Sequence, residues 1–183
     1  MHYIRLHITV SMKQIVTQFK KEVKRKKRKL TTFLTKLEKY KIKELPSIRA
    51  EADAKAWSQT NCLACANCCK AMTPTFTPTD IKRIAPHFKL TVAEFKAKWL
   101  TYDSKEKDWV NVKQPCQFLN LSTNMCNIYS KRPADCAGFP HHHKKNIDDY
   151  NHVYKQNLSY CPATLRWVEN MKTAVEAKYA LYK

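Results

Sequence analysis

The sequence predicts a mainly α protein with a small β hairpin. Three observations carry that prediction. Apolar residues step at helical intervals near both ends of the chain, helix-start signals punctuate its middle, and only two brief apolar runs read as strands. With 183 residues, 44% hydrophobic and 27% charged, the chain has the size and composition of a globular domain that can bury a core.

The first expected helix covers residues 12–45. Val16, Phe19, Val23, Lys26, Leu30, Phe33, Leu37 and Tyr40 fall at alternating three- and four-residue steps, and all but Lys26 are apolar. Such a stripe is stable only when it docks on something, as core or as a dimer seam. Pro46 ends this arm, and a short helix over 47–57 leads onward. At Thr77-Pro78-Thr79-Asp80 an N-cap, a proline at the first helical position and an acid in the first turn start a helix over 78–87. Thr91 and Glu94 form a capping box that starts another over 92–101. The apolar runs at 109–112 and 127–129 are the candidates for the hairpin. Asp148-Asp149 reads as a helix start. Cys161-Pro162 opens a last amphipathic helix with Leu165, Val168, Met171, Val175 and Tyr179 on one face.

Charge is the first departure from the average. Lys and Arg total 34 against 15 Asp and Glu, a net charge of +19. Through residue 56 there are 16 basic and 5 acidic residues, against 18 and 10 in the remainder. Residues 1–56 are therefore expected to form a basic helical arm ahead of a second unit at 57–183. Lys20, Lys21, Lys24, Arg25, Lys27, Arg28 and Lys29 are the candidate contacts for nucleic acid or an anionic surface. The plainer reading, a solvated helix face in a lysine-rich chain, is favoured. A charge run names no partner, and no aromatics interleave with these residues as base stacking would need.

Glycine is the second departure. With only Gly138, the chain has no Gly-rich phosphate loop, which argues against ordinary nucleotide-dependent chemistry. No apolar stretch approaches the roughly 18 residues a membrane span needs. Residues 1–10 contain interior charge and no small-residue cleavage site, so no secretory signal is read and a cytoplasmic location is expected. Because the periodic helix begins only at Met12, residues 1–11 are a candidate mis-assigned start.

Cysteine is the third. Cys62, Cys65, Cys68 and Cys69 crowd into eight residues, and Cys116, Cys126, Cys136 and Cys161 follow singly. Disulfides are disfavoured without an oxidising compartment, and a bridge between Cys68 and Cys69 departs from normal disulfide geometry. A redox pair lacks the surrounding strand–helix units. Metal binding remains: thiolates are soft ligands for zinc and iron–sulfur clusters, and two-residue gaps let one turn converge several sulfurs. On a helix Cys62, Cys65 and Cys69 share a face, with Cys68 turned about 100° away; in a loop the adjacent pair still diverges. One of Cys68 and Cys69 is then expected to serve a different centre or an outer role. The eight sulfurs could fill two four-cysteine zinc sites. Alternatively, they could hold one cluster of the C-x2-C-x2-C…C-P type, with Cys161-Pro162 as the remote ligand, and leave the rest for a second metal. The predicted second unit is thus a compact metal-stapled cysteine-cluster domain preceded by the basic amphipathic helix.

At this point a resemblance enters. The run at 62–69, Thr77-Pro-Thr-Asp-Ile81, Pro115-Cys-Gln-Phe-Leu119, Cys126-Asn-Ile-Tyr129, Lys131-Arg-Pro133, Cys136 and Phe139-Pro140 resemble the CxxCxxCC, or YkgJ-like, cysteine-cluster proteins, described as zinc- or iron-chelating. The resemblance covers about residues 58–165 and leaves the basic arm without a counterpart. It implies Cys62, Cys65, Cys68, Cys69, Cys116, Cys126, Cys136 and Cys161 as metal-ligand positions. Ala66 and Ala137 stand where the family often has glycine and arginine. The family includes a module of flagellin lysine N-methylases, which makes a metal-dependent protein modifier the alternative to a metal-binding protein of unassigned activity. Association with RNA through the arm is a third possibility.

Around the ligands, Arg132 is a candidate donor to metal-bound sulfur, with an exposed helix-start position as the rival reading. Pro133 fits the first turn of a short helix carrying Cys136. Phe118, Ile128, Tyr129 and Phe139 are expected to pack around the site. Three consecutive histidines, His141 to His143, cannot all face one ion, and Lys144-Lys145 points to an exposed loop there.

Overall fold

A computed structural model describes residues 12–39, 41–144 and 147–179. Tyr40 and residues 1–11, on which two expectations rested, lie outside the described residues.

The N-terminal stripe becomes α1, Met12–Lys39. Phe19, Leu30, Phe33, Leu34 and Leu37 are buried in the largest core, and Val23 packs against it. Lys26, the one charge on the stripe, reaches Glu169 at 2.8 Å and neutralises what would otherwise be a costly position. Pro46 does not separate the arm from the rest of the chain; it sits in the first turn of α2, Leu45–Ser58. Leu45, Ile48, Ala52 and Ala56 of α2 join the same core. Two C-terminal helices complete it. In α8, Ile147–Asn157, Asp148 and Asp149 occupy the first turn as expected, and Tyr154 is fully buried. In α9, Pro162–Lys178, the buried face is Leu165, Trp167, Val168, Met171 and Val175. No helix among the described residues is long and apolar enough to cross a membrane.

Between these helix pairs the chain builds a smaller half. Two short helices, α3 at Cys62–Cys65 and α4 at Asn67–Ala71, precede β1, Thr75–Phe76. Both predicted helix starts hold. Thr77 caps α5, Pro78–Ile84, and Thr91 caps α6, Val92–Trp99, each through a reciprocal capping box. After Ile84 the chain tightens into a 3₁₀ turn at Ala85–Phe88 around Pro86. The predicted helix over 92–101 stops at Trp99, because Leu100 turns extended and begins β2, Leu100–Asp103.

The hairpin is present, but with a different partner from the predicted one. Residues 109–112 do not pair with 127–129. Instead β3, Asp108–Asn111, is the centre of a three-stranded antiparallel sheet of order β1-β3-β2. Thr101 faces Val110 on one side, and Thr75 faces Val110 on the other. Loop closure accounts for the choice. Asp103 Oδ1 accepts from the N–H groups of Lys105 and Glu106, and Lys107 takes a left-handed φ of 59°, so a tight turn pairs β2 with β3 locally. Residues 127–129 enter a 3₁₀ turn, Tyr129–Lys131, instead. The sheet and α5–α6 enclose a second core of Phe76, Ile81, Ile84, Phe95, Leu100, Phe118 and Ile128.

Asp80 fastens this half to α7, Ala134–Gly138, which carries Cys136. Its side chain is 4% exposed and takes hydrogen bonds from Thr77, Arg83 and the Ala134 N–H. Burial alone would raise the carboxyl, but these donors outweigh it and hold the group below its ordinary value. Asp80→Ala is expected to destabilise the protein by about 2–3 kcal/mol in urea denaturation at neutral pH. Since the folded-state carboxyl titrates below its ordinary 3.8, the wild-type advantage is complete above that pH. It disappears as pH falls through the lower folded-state value.

Candidate metal centre

The cysteine run is not one helix. Asn61 caps α3 by accepting the Ala64 N–H at 3.1 Å, and Ala66 then takes a left-handed conformation, φ 45° and ψ 23°, that breaks the run before α4. A left-handed alanine costs roughly 1–2 kcal/mol. Burial of its methyl returns about 0.8 kcal/mol, so alanine is tolerated where the family often has glycine. The break removes the single helical face expected for Cys62, Cys65 and Cys69. Nor does the adjacent pair diverge: Cys68 Sγ and Cys69 Sγ lie 3.9 Å apart and share a hydrogen bond.

Hydrogen bonds to main-chain groups bring the remaining cysteines to this run. The Cys116 N–H donates to Cys69 O at 2.9 Å, placing the two side by side. Asn67 Nδ2 donates to Tyr160 O at 2.9 Å, next to Cys161. The loop between Cys116 and Cys126 closes through a bridge of Leu119 with Cys126, and Asn124 Nδ2 ties it to Ala64 O at 3.0 Å. Cys136 is brought in by α7, whose Asp135 accepts the Thr75 N–H at 3.1 Å. Pro133 stands at the N-cap of α7, one position before the first turn expected for it.

The result is an open cavity of about 430 Å³ lined by Cys62, Cys68, Cys69, Cys116, Cys126 and Cys136. Cys65 and Cys161 are buried outside its lining, and all eight cysteines are free thiols. Among the described residues no three Cys, His, Asp or Glu side chains are grouped closely enough to hold one ion as they stand. The thiols ring the space, and closing a shell requires them to turn inward. By the chemistry of its donors the set fits a thiophilic metal, zinc or iron.

Electrostatics point the same way. Burial, then the neighbouring cysteines, pushes Cys62 up to about 11. Burial likewise raises Cys65, Cys116, Cys126, Cys136 and Cys161. In the adjacent pair one proton is shared: Cys68 holds it and is driven up, and Cys69 is drawn down by the hydrogen bond it receives. Thiols so buried ionise together only when a cation compensates them.

Residues around the ring fall partly where expected. Phe118 and Ile128 are buried in the second core, whereas Tyr129 is 45% exposed and Phe139 half-buried at the cavity wall. The 3₁₀ turn leaves the Tyr129 ring outside, under the Arg132 guanidinium at 4.0 Å. Arg132 donates to Tyr129 O at 2.7 Å, and its charge favours the ionised forms of Cys62 and Cys126. Two features carry no signal in the sequence. Asn111 Nδ2 donates to Cys116 Sγ at 3.3 Å, oriented by Gln117, which donates to Asn111 Oδ1 at 2.9 Å. A lone asparagine in a strand does not announce such a contact. The histidines do not form an exposed loop: His142 is buried, His141 is half-buried against Asp135, and only His143 is exposed. Carboxylates 89 and 6 residues away in sequence hold the two inner ones.

One comparison decides the family. The model of the CxxCxxCC proteins, described as a "Putative zinc- or iron-chelating domain", matches residues 61–162, more than half of the chain. The chain belongs to the CxxCxxCC family. No solved structure matches it. The matched span of this CxxCxxCC protein contains all eight cysteines and the cavity they line. The basic residues Lys20, Lys21, Lys24, Arg25, Lys27, Arg28 and Lys29 lie outside that span, all exposed on α1.

With the metal removed and thiols reduced, Cys69 is expected to react first. Iodoacetamide near pH 7.5 should label it about tenfold faster than Cys136, as read by peptide mapping, because the thiolate is the nucleophile.

Proposed function

We propose that the protein binds metal through its eight cysteines, as a polynuclear iron–sulfur centre in and beside the cavity. Six thiols around a space of about 430 Å³ carry this reading. A single tetrahedral zinc, with Zn–S near 2.3 Å, fills far less room than that ring encloses. Cys62, Cys68, Cys69, Cys116, Cys126 and Cys136 are the wall ligands in this reading, with Cys65 and Cys161 behind them. When bound, a cluster supplies one-electron chemistry. The protein's part is to bury the sulfurs, aim donors such as the Asn111 amide at them, and place the Arg132 charge nearby.

The test is metal and acid-labile sulfide content, with an optical spectrum, on untagged protein purified without oxygen. Brown protein with iron and sulfide is the expected result, and Cys116→Ser or Cys136→Ser should lose most of that iron. Colourless wild type with stoichiometric zinc would overturn the cluster and leave a structural zinc site. Folded protein that takes up neither metal would overturn metal binding altogether.

A second reading concerns α1. Its apolar stripe is spent on the core, so the helix has no free apolar face to lay into a membrane. Its acids Glu22 and Glu38 are paired with Lys26 and Lys155, and the seven exposed basic side chains project along one stretch. This favours non-specific binding of a nucleic-acid phosphate backbone. Four or five phosphates neutralised would give a slope of about −4 in log K against log salt for duplex binding. Replacing Lys20, Lys24 and Lys27 with Gln should flatten that slope by about 2–3, and an unchanged slope would remove this reading.

A further inference from the structure

Beyond the cysteines, the described residues hold one other buried polar chain that reaches the centre. Asp53 on α2 approaches His142 Nδ1 at 2.6 Å, and His142 Nε2 lies 3.0 Å from Thr164 Oγ1 on α9. The imidazole is 1% exposed, the Asp53 side chain 13% and Thr164 0%. Both ring nitrogens are therefore in use, and the carboxylate selects Nδ1 as the protonated one. The ring is also fixed in orientation. Trp167 stacks on it at 4.0 Å, Arg49 Nη2 donates to His142 O at 2.9 Å, and Trp167 Nε1 donates to Arg49 O at 3.1 Å.

Carboxylate, imidazole and hydroxyl in line have the connectivity of a nucleophile activated by a base. Burial rules that use out: the Thr164 hydroxyl is fully enclosed, so no substrate atom can reach it. What it does touch is the Cys161 sulfur, which accepts hydrogen bonds from the Thr164 side chain and from the N–H groups of Ala163 and Thr164. Cys161 is the cysteine furthest along the chain, and it stands at the N-cap of α9.

We propose that Asp53, His142 and Thr164 are positioning residues for the metal centre: Asp53 fixes the His142 ring, His142 fixes the Thr164 hydroxyl, and that hydroxyl holds the Cys161 sulfur for ligation. The proposal rests on Cys161 being a ligand. It gives the second histidine of the triplet an outer role, and it makes α2 part of the site although no α2 residue is a ligand. Outer partners of this type are worth about 10–100-fold in metal affinity.

Co²⁺ added without oxygen to the full-length, metal-free protein tests this, because its sulfur-to-cobalt absorption reports thiolate ligation directly. Thr164→Val, which keeps the shape and removes the hydroxyl, should weaken Co²⁺ binding about 10–100-fold and shift the charge-transfer band. Thr164→Ser should restore both. Asp53→Asn should move affinity and band in the same direction, and it stands in if Thr164→Val fails to fold. Wild-type affinity and an unchanged band in the folded variants would overturn the positioning role while leaving the metal site intact. A wild-type protein that gives no thiolate band at all would instead overturn the metal reading, and this proposal with it.

Discussion

Eight thiols buried around one small space cannot shed their protons without a positive charge among them. Most of the smaller half of this molecule is shaped by that constraint. Burial raises six of the thiols, and the Cys68–Cys69 pair keeps one proton between its sulfurs. A metal supplies the missing charge, so the free energy of ligation and the free energy of ordering this half are the same quantity. The segments carrying Cys116, Cys126 and Cys136 are short turns and one five-residue helix. They have little apolar surface of their own with which to hold a position.

Two scaffolds compensate for that weakness. The four long helices give a rigid wall against which α3, α4 and the start of α9 are set. The sheet and the second aromatic core give the opposing wall, with Phe118 stacked on Phe95 directly beyond Cys116. Between the walls the connections are mainly hydrogen bonds from side chains to main chain: Asn67 to Tyr160, Asn124 to Ala64, Arg83 to Lys131 and Arg132. Such bonds fix loops without adding bulk to the space the cysteines surround.

How much of this could be read in the sequence depended on the range of the interaction responsible. Local signals translated well. The capping boxes at Thr77 and Thr91, the stripe of α1 and the buried face of α9 are set by residues three or four apart. Ligand candidates were legible because four thiols in eight residues are hard to account for except as metal ligands. Strand pairing failed because an Asx turn at Asp103 outweighed a more distant pairing of equally apolar runs. The helical wheel failed at Ala66, where a left-handed residue other than glycine left no mark. His142 was misplaced for a third reason. Its partners, Asp53 and Thr164, come from helices that meet only after the chain folds, and two neighbouring lysines dominated the local pattern.

The core formed by α1, α2, α8 and α9 contains no cysteine. It can close on apolar contacts alone, before any metal arrives. A newly made chain thus keeps a folded foothold while its other half waits, and the waiting half presents a set of reduced sulfurs. Its hazard in that interval is oxidation, by oxygen or by another thiol, more than clumping through exposed apolar surface. The order of events, helices first and metal second, turns the survival of the site into a race against sulfur chemistry.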